Sequence, residues 1–250
     1  MSTKSCVTLA LQKSAVFGVL VTTLVAFAVP AKAALYLQNG SFENIGTATA
    51  SFSINNPTVL PSWTVIPINS NSLDCLVKAG DTTNLCGTVA FGGGLTWWSS
   101  PGPSPDGGNY VAVDGDSNYR TALKQTMSGL TPGGNYKITF WQAATQQSGF
   151  DGATTEQWAV SFGGTTKNST LMNNLSHGSV GWMSQTLTFT ATTSSDVLSF
   201  LALGTPNGVP PFVLLDGVSV SEAPEPGTMA LIGFGLLGLP LAGKLRKKRS

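Results

Sequence analysis

Histidine is almost missing from this 250-residue chain, cysteine is scarce and charge is thin: one His, three Cys, and Asp, Glu, Lys and Arg together at 10%. The lone His177 lies in the polar run Asn174-Leu175-Ser176-His177-Gly178-Ser179 with no acid beside it in sequence. It reads as a surface-loop residue, since a Ser-His-Asp arrangement has only the fold to assemble it and no nucleophile elbow is present. Cys75 and Cys86, two thiols with no histidine near, make an incomplete zinc shell. No glycine-rich loop runs into a helix to cradle phosphate. Acids are numerous enough for some glycosidase-like pair to occur, but no motif nominates one. No residue is therefore nominated as catalytic.

The few charges are unevenly spread. Of 13 Lys and Arg, three stand at Lys4, Lys13 and Lys32 and five between Lys244 and Arg249. Between Ala34 and Ser221 that leaves Lys78, Arg120, Lys124, Lys137 and Lys167 against ten acids, a net charge of −5. An acidic domain with basic ends lacks the electrostatic footprint of a nucleic-acid binder.

What is present at the two ends is ordered. Lys4 and Lys13 precede an apolar run from Ala15 to Val29, broken only by Thr22 and Thr23, then Pro30 and Ala31-Lys32-Ala33. Charge, apolar run, helix breaker and small residues in that order predict a signal peptide at 1–33, cut by signal peptidase between Ala33 and Ala34. At the other end Pro224-Glu225-Pro226 is followed by the uncharged run Thr228 to Gly243 and then Lys244, Arg246, Lys247, Lys248 and Arg249. Sixteen helical residues span roughly 24 Å, short of a hydrocarbon core of about 30 Å. The basic cluster nonetheless predicts a single transmembrane helix with its tail on the cytoplasmic side.

This string of Pro-Glu-Pro, apolar helix and basic tail over residues 223–250 resembles the PEP-CTERM sorting signal of Gram-negative bacteria. The resemblance implies processing by an exosortase and association with an exopolysaccharide, biofilm or floc matrix. It also makes the membrane a transient anchor, with the cell surface or the outside as destination.

The residues between, 34–222, are rich in Gly, Thr, Ser and Asn. Tyr136, Ile138 and Phe140 alternate with Lys137, Thr139 and Trp141, and Leu187 and Phe189 alternate with threonines. Val197–Leu203 and Phe212–Val220 read as further strands, with turn chemistry at Thr131-Pro132-Gly133-Gly134-Asn135, Phe162-Gly163-Gly164 and Gly204-Thr205-Pro206-Asn207-Gly208. Nine or ten strands without a convincing helix predict an all-β antiparallel sandwich. Cys6 is lost with the signal, so Cys75 and Cys86 are expected to pair as a disulfide in an oxidising compartment.

Three stretches carry a second resemblance. They are Leu35–Glu43 with Leu60-Pro61-Ser62-Trp63, Leu123–Phe140, and Trp182–Ala191 with Leu214–Val220. They look like the galactose-binding-domain-like jelly roll of many carbohydrate-binding modules. Residues 69–105 have no counterpart and are expected to be an insertion. The resemblance implies a structural calcium held with the help of Glu43 and Asp216; the plainer reading is a loop-bound Glu43 and a turn-capping Asp216. It also places Trp63 and Trp182 in the core. Trp97-Trp98, between glycines and prolines, suggests an aromatic platform for a sugar ring, with packing of one Trp beneath the insertion as the alternative. Asp114-Gly115-Asp116, flanked by Tyr110 and Tyr119, allows a sugar or second-cation site or a solvated turn.

The expectation is a non-catalytic, polysaccharide-associated surface protein. The alternatives are a structural sandwich that binds other proteins and, behind it, a polysaccharide-modifying hydrolase.

Overall fold

A computed structural model describes residues 37–47, 52–54, 60–69, 71–80 and 95–223. The signal-peptide stretch with Ala33 and Ala34, Cys86, and Pro224-Glu225-Pro226 with its apolar run lie outside the described residues. Among the described residues no helix is long and apolar enough to cross a membrane.

Twelve strands form: β1 Phe52–Ser53, β2 Thr64–Pro67, β3 Asp74–Val77, β4 Tyr110–Asp114, β5 Thr121–Ser128, β6 Asn135–Gln146, β7 Thr154–Phe162, β8 Thr165–Asn168, β9 Met172–Asn174, β10 Ser179–Thr190, β11 Ser195–Thr205 and β12 Pro211–Glu222. They make two antiparallel sheets. Sheet A runs β1-β3-β4-β12-β6-β10, and sheet B runs β2-β5-β11-β7-β8 with β9 also on β7. From β4 onward the chain crosses between sheets at every connection except β7–β8–β9, so that 4-12-6-10 faces 5-11-7-8, the jelly-roll order. The expected all-β sandwich is thus the observed one.

Burial explains the strands. Tyr136, Ile138 and Phe140 face the interior while Asn135 and Lys137 face solvent, the period of two that a half-buried strand requires. Phe200 on β11 lies at the centre of this interior, with ring centroids 5.1 Å from Phe140, 6.0 Å from Trp158 and 6.3 Å from Trp63. Each such ring stabilises the fold by about 1.5–3 kcal/mol through burial. The indole of Trp158 on sheet B also donates a hydrogen bond to the Leu214 carbonyl on sheet A, 3.1 Å away.

The second half of β6, together with β4 and the start of β12, is buried on both faces. A separate apolar cluster covers the outside of sheet A: Leu73, Cys75, Val77, Leu95, Tyr110, Ala112, Ala143, Phe212 and Leu214, with Trp97, Tyr119 and Trp182 packed on it. The segment expected as an insertion supplies β3 and Leu95 to this layer, so its described residues are built into sheet A. Trp63 stands in the inner core and Trp182 in the outer cluster.

Burying polar groups between such layers shifts their chemistry. Glu156 on β7 points inward beside Thr154, whose hydroxyl donates to Oε1. Burial, countered only in part by that bond, pushes its carboxyl up to about 8. The folded protein then holds a proton that the unfolded chain releases near pH 4.5. The neutral form's contribution is complete below that pH and is lost as pH rises toward 8. Glu156→Gln keeps the shape without titrating. Calorimetry should find its unfolding midpoint about 2–6 °C above the parent at pH 8, with a smaller difference at pH 5. Equal shifts at both pH values would show that burial of the charge is not the cause.

Candidate functional site

One end of the sandwich is built from the β4–β5, β6–β7 and β11–β12 connections. Asp116 ties two of them together. Its Oδ1 accepts from the Asn118 backbone N–H and Nδ2 at 2.8 and 3.0 Å, and its Oδ2 accepts from the Gly208 N–H at 2.6 Å. Ser117 and Asn207 exchange two further bonds across the same seam. Asp114 accepts from the Asp116 N–H, and burial first, with the Asp116 charge adding, pushes its carboxyl up to about 8. The Asp114-Gly115-Asp116 run is thus placed as a buried clasp between loops rather than a solvated turn.

Trp97 and Trp98 part ways. Trp97 turns inward, its ring 4.6 Å from Phe212, while its backbone bridges Gln147. Trp98 is 43% exposed, and its indole N–H donates to the Phe150 carbonyl at 2.8 Å. Against one side of it lies His177, 4.0 Å between centroids and tilted by 31°. The fold gives that histidine the acid its local sequence lacks: Asp151 Oδ1 stands 2.5 Å from Nε2. His177 holds this place in the left-handed region, φ 61°, a conformation that costs a non-glycine residue ~1 kcal/mol, and its N–H donates to Gln146 Oε1. Among the described residues no hydroxyl or thiol hydrogen-bonds the imidazole. Among the described residues the pair therefore consists of an imidazole and its orienting acid.

Two cavities flank the clasp. One, of about 290 Å³, is lined by Asp116, Tyr119, Gln147, Phe150 and Pro210, a mixture of ring faces and polar groups. The indole N–H of Trp97 and the Oε1 of Gln147 beside it are buried without a partner, one needing an acceptor and the other a donor. The other cavity, of about 350 Å³, lies on the sheet B side with Arg120, Thr155, Gln157 and Asn207 in its wall.

Glu43 and Asp216 do come to one edge. Both Glu43 oxygens accept from Asn109, Oε1 from the backbone N–H at 2.8 Å and Oε2 from Nδ2 at 3.1 Å. The carboxylate fits only because residue 108 is glycine: a Cβ there stands 1.7 Å from Glu43 Oε1. Asp216 sits at the bulge of β12 and accepts from the Gly217 N–H at 2.7 Å, while its Oδ2 is buried without a partner. Burial chiefly, then the charges of Asp106 and Glu43, push its carboxyl up to about 7 against the Ser104 and Gly217 bonds. Sequence reading missed Asp106, whose loop gives no period or motif to mark it. Among the described residues no three His, Cys, Asp or Glu side chains have the arrangement that holds a metal. Cys75 is fully buried in β3.

Residues 222–247 match the PEP-CTERM protein-sorting motif, and residues 93–220 match a family described as "Protein of unknown function (DUF642)". No curated protein matches the chain. Similar solved structures include TmCBM61 in complex with β-1,4-galactotriose, 16% identical over 75% of this chain and 98% of that one, TM-score 0.41. A CBM4 structure is 19% identical over 74% and 99%, TM-score 0.34. Arabinose-bound MgGH51 α-L-arabinofuranosidase is 16% identical over 76% of this chain and 26% of that one, TM-score 0.40.

The divergence of the two tryptophans is measurable. Trp97→Ala empties a packed position and should lower stability by about 2–4 kcal/mol in urea denaturation. Trp98→Ala should stay within about 1 kcal/mol. Equal losses would contradict the placement of these rings.

Proposed function

This chain belongs to the DUF642 family, and we propose that it is an exported, non-catalytic sandwich that binds polysaccharide through its Trp98 edge. The sorting motif at 222–247 supports the first part, since such a signal implies export with a transient C-terminal anchor. In this reading signal peptidase cuts at Ala33–Ala34 and an exosortase acts near Pro224-Glu225-Pro226. The Gram-negative cell surface or the extracellular matrix is the destination. A buried Cys75 that is disulfide-bonded suits that oxidising route, with Cys86 as the partner we assign.

The observation that carries the binding part is the exposed Trp98 ring, backed by His177 and set in a rim of polar loops. An aromatic face takes the apolar side of a pyranose, and neighbouring amide and carboxylate groups take its hydroxyls. Full-length protein should be retained by at least one polysaccharide in a pull-down panel, and Trp98→Ala should weaken that retention about tenfold or more. Unchanged retention removes the platform, and retention by none favours a purely structural sandwich. Release of reducing ends would overturn the non-catalytic assignment.

At the other edge we propose that Glu43 and Asp216 help to hold a structural calcium, with backbone carbonyls and water completing the shell. The partnerless Asp216 oxygen, pressed against two like charges, is what a hard cation would satisfy. Calcium should raise the parent's unfolding midpoint relative to EDTA, and Glu43→Ala should abolish the rise. Equilibrium dialysis that finds no calcium on the parent ends this assignment.

A further inference from the structure

The outer face of sheet B is unlike the rest of this acidic domain. Its outward positions follow from register. Thr64 pairs with Lys124, which pairs with Ser199, which pairs with Ser161, and Ile66, Ala122, Leu201 and Ala159 form the next row. Leu203 with Gln157, and Thr205 with Thr155 and Asn173, continue it. No Asp or Glu stands in these rows, although ten acids lie between Ala34 and Ser221. Lys124 does, and Arg120, just before the start of β5, lies four residues and about 13 Å farther along the same chain segment.

Arg120 is the sharper feature. It lines the cavity of about 350 Å³ beside Thr155, Gln157 and Asn207. Its backbone is held by Asp116 and Ile68, but its Nε is buried without a partner. Among the described residues the one ion pair is His177 with Asp151, so no carboxylate meets this guanidinium. An arginine presents donors in a planar fork that matches an oxyanion, and leaving that fork unmet in a polar cavity is costly. Thr155 and Thr205, whose hydroxyls share a hydrogen bond at 2.7 Å, and the Gln157 amide offer neutral donors and acceptors around it.

We propose that this face binds an anionic polysaccharide, with Arg120 receiving a sugar-borne carboxylate or sulfate ester and Lys124 meeting the chain farther along. The proposal rests on the polysaccharide reading above and adds the charge class of the ligand at a second site. The test is affinity electrophoresis of the full-length chain on alginate, carboxyl-reduced alginate, dextran sulfate and dextran. Alginate or dextran sulfate should retard the parent, their neutral counterparts should do so far less, and added salt should weaken the effect. Whichever polymer binds names the anion. Arg120→Ala should lose about tenfold or more in affinity, with Arg120→Lys between it and the parent. Lys124→Ala should lose less. Circular dichroism of Arg120→Ala should match the parent, because the side chain makes no hydrogen bond within the fold. Equal retardation on charged and neutral polymers, or an Arg120→Ala variant that binds as the parent does, overturns the proposal. Neutral-polymer binding that depends on Trp98 alone would do so while leaving the polysaccharide reading intact. Retention on no polymer removes both.

Discussion

The centre of sheet A, where β4, the start of β12 and the second half of β6 meet, is packed on both faces, and most of what is unusual in this protein follows from that constraint. The inner face meets the aromatic interior around Phe200, and the outer face meets the layer that carries Cys75, Leu95, Tyr110 and Phe212. Strands so enclosed cannot alternate polar with apolar. Tyr110–Val113 and Phe212–Leu215 are accordingly continuous apolar runs, the pattern of strands covered on two sides. The carboxylates at their ends, Asp74, Asp114 and Asp216, are enclosed with them, and each has its pKa raised chiefly by loss of solvent. Local bonds such as Thr121 to Asp74 offset part of that cost.

Sheet B has the opposite character. Its inner face contributes Trp158, Val160, Phe162, Leu198 and Phe200 to the core, and its outer face mixes threonine, serine, glutamine and Lys124 with Ile66, Leu201 and Leu203. Among the described residues no second layer covers this face, its aliphatic side chains such as Ile66 and Val197 are partly in solvent, and β8 is exposed at every position. The contrast is physical: sheet A is sealed at its centre, and the described outer face of sheet B presents hydrogen-bonding groups over a wide area.

How far the sequence reveals this depends on the range of the signal. Alternation in Tyr136-Ile138-Phe140 is local and marks both strand and facing. The clusters Thr131–Asn135 and Gly204–Gly208 mark turns through residue chemistry alone. The second apolar layer left no such trace. Leu73, Cys75 and Val77 read equally well as an inserted loop, because only their pairing with β4 shows what they cover. Trp97 and Trp98 are adjacent and chemically alike, and one bridge to Gln147 decides which ring turns inward. Asp151 lies 26 residues before His177, and the absence of carboxylates around Arg120 is a property of a surface, so neither can be read from neighbours in sequence. Glu43 and Asp216 were legible through resemblance, whereas Asp106 depended on the packing of the outer layer.

The direction of β12 orders these features relative to the sorting motif. That strand begins at Pro211, whose carbonyl accepts from Gly115 beside the Asp116 clasp, and ends at Glu222, where it pairs with Tyr136. The motif match begins at residue 222, so the last rung of the sheet and the first residue of the signal coincide. Twelve residues of strand span roughly 35–40 Å. The Trp98 edge, the 290 Å³ cavity and Arg120 all lie at the Pro211 end, one strand length from the sorting motif. That geometry places the β4–β5, β6–β7 and β11–β12 loops at the end of β12 remote from the first residue of the motif. On the binding role proposed above, these loops stand a strand length from residue 222, where the sorting motif begins, so binding would not depend on groups beside the site of processing.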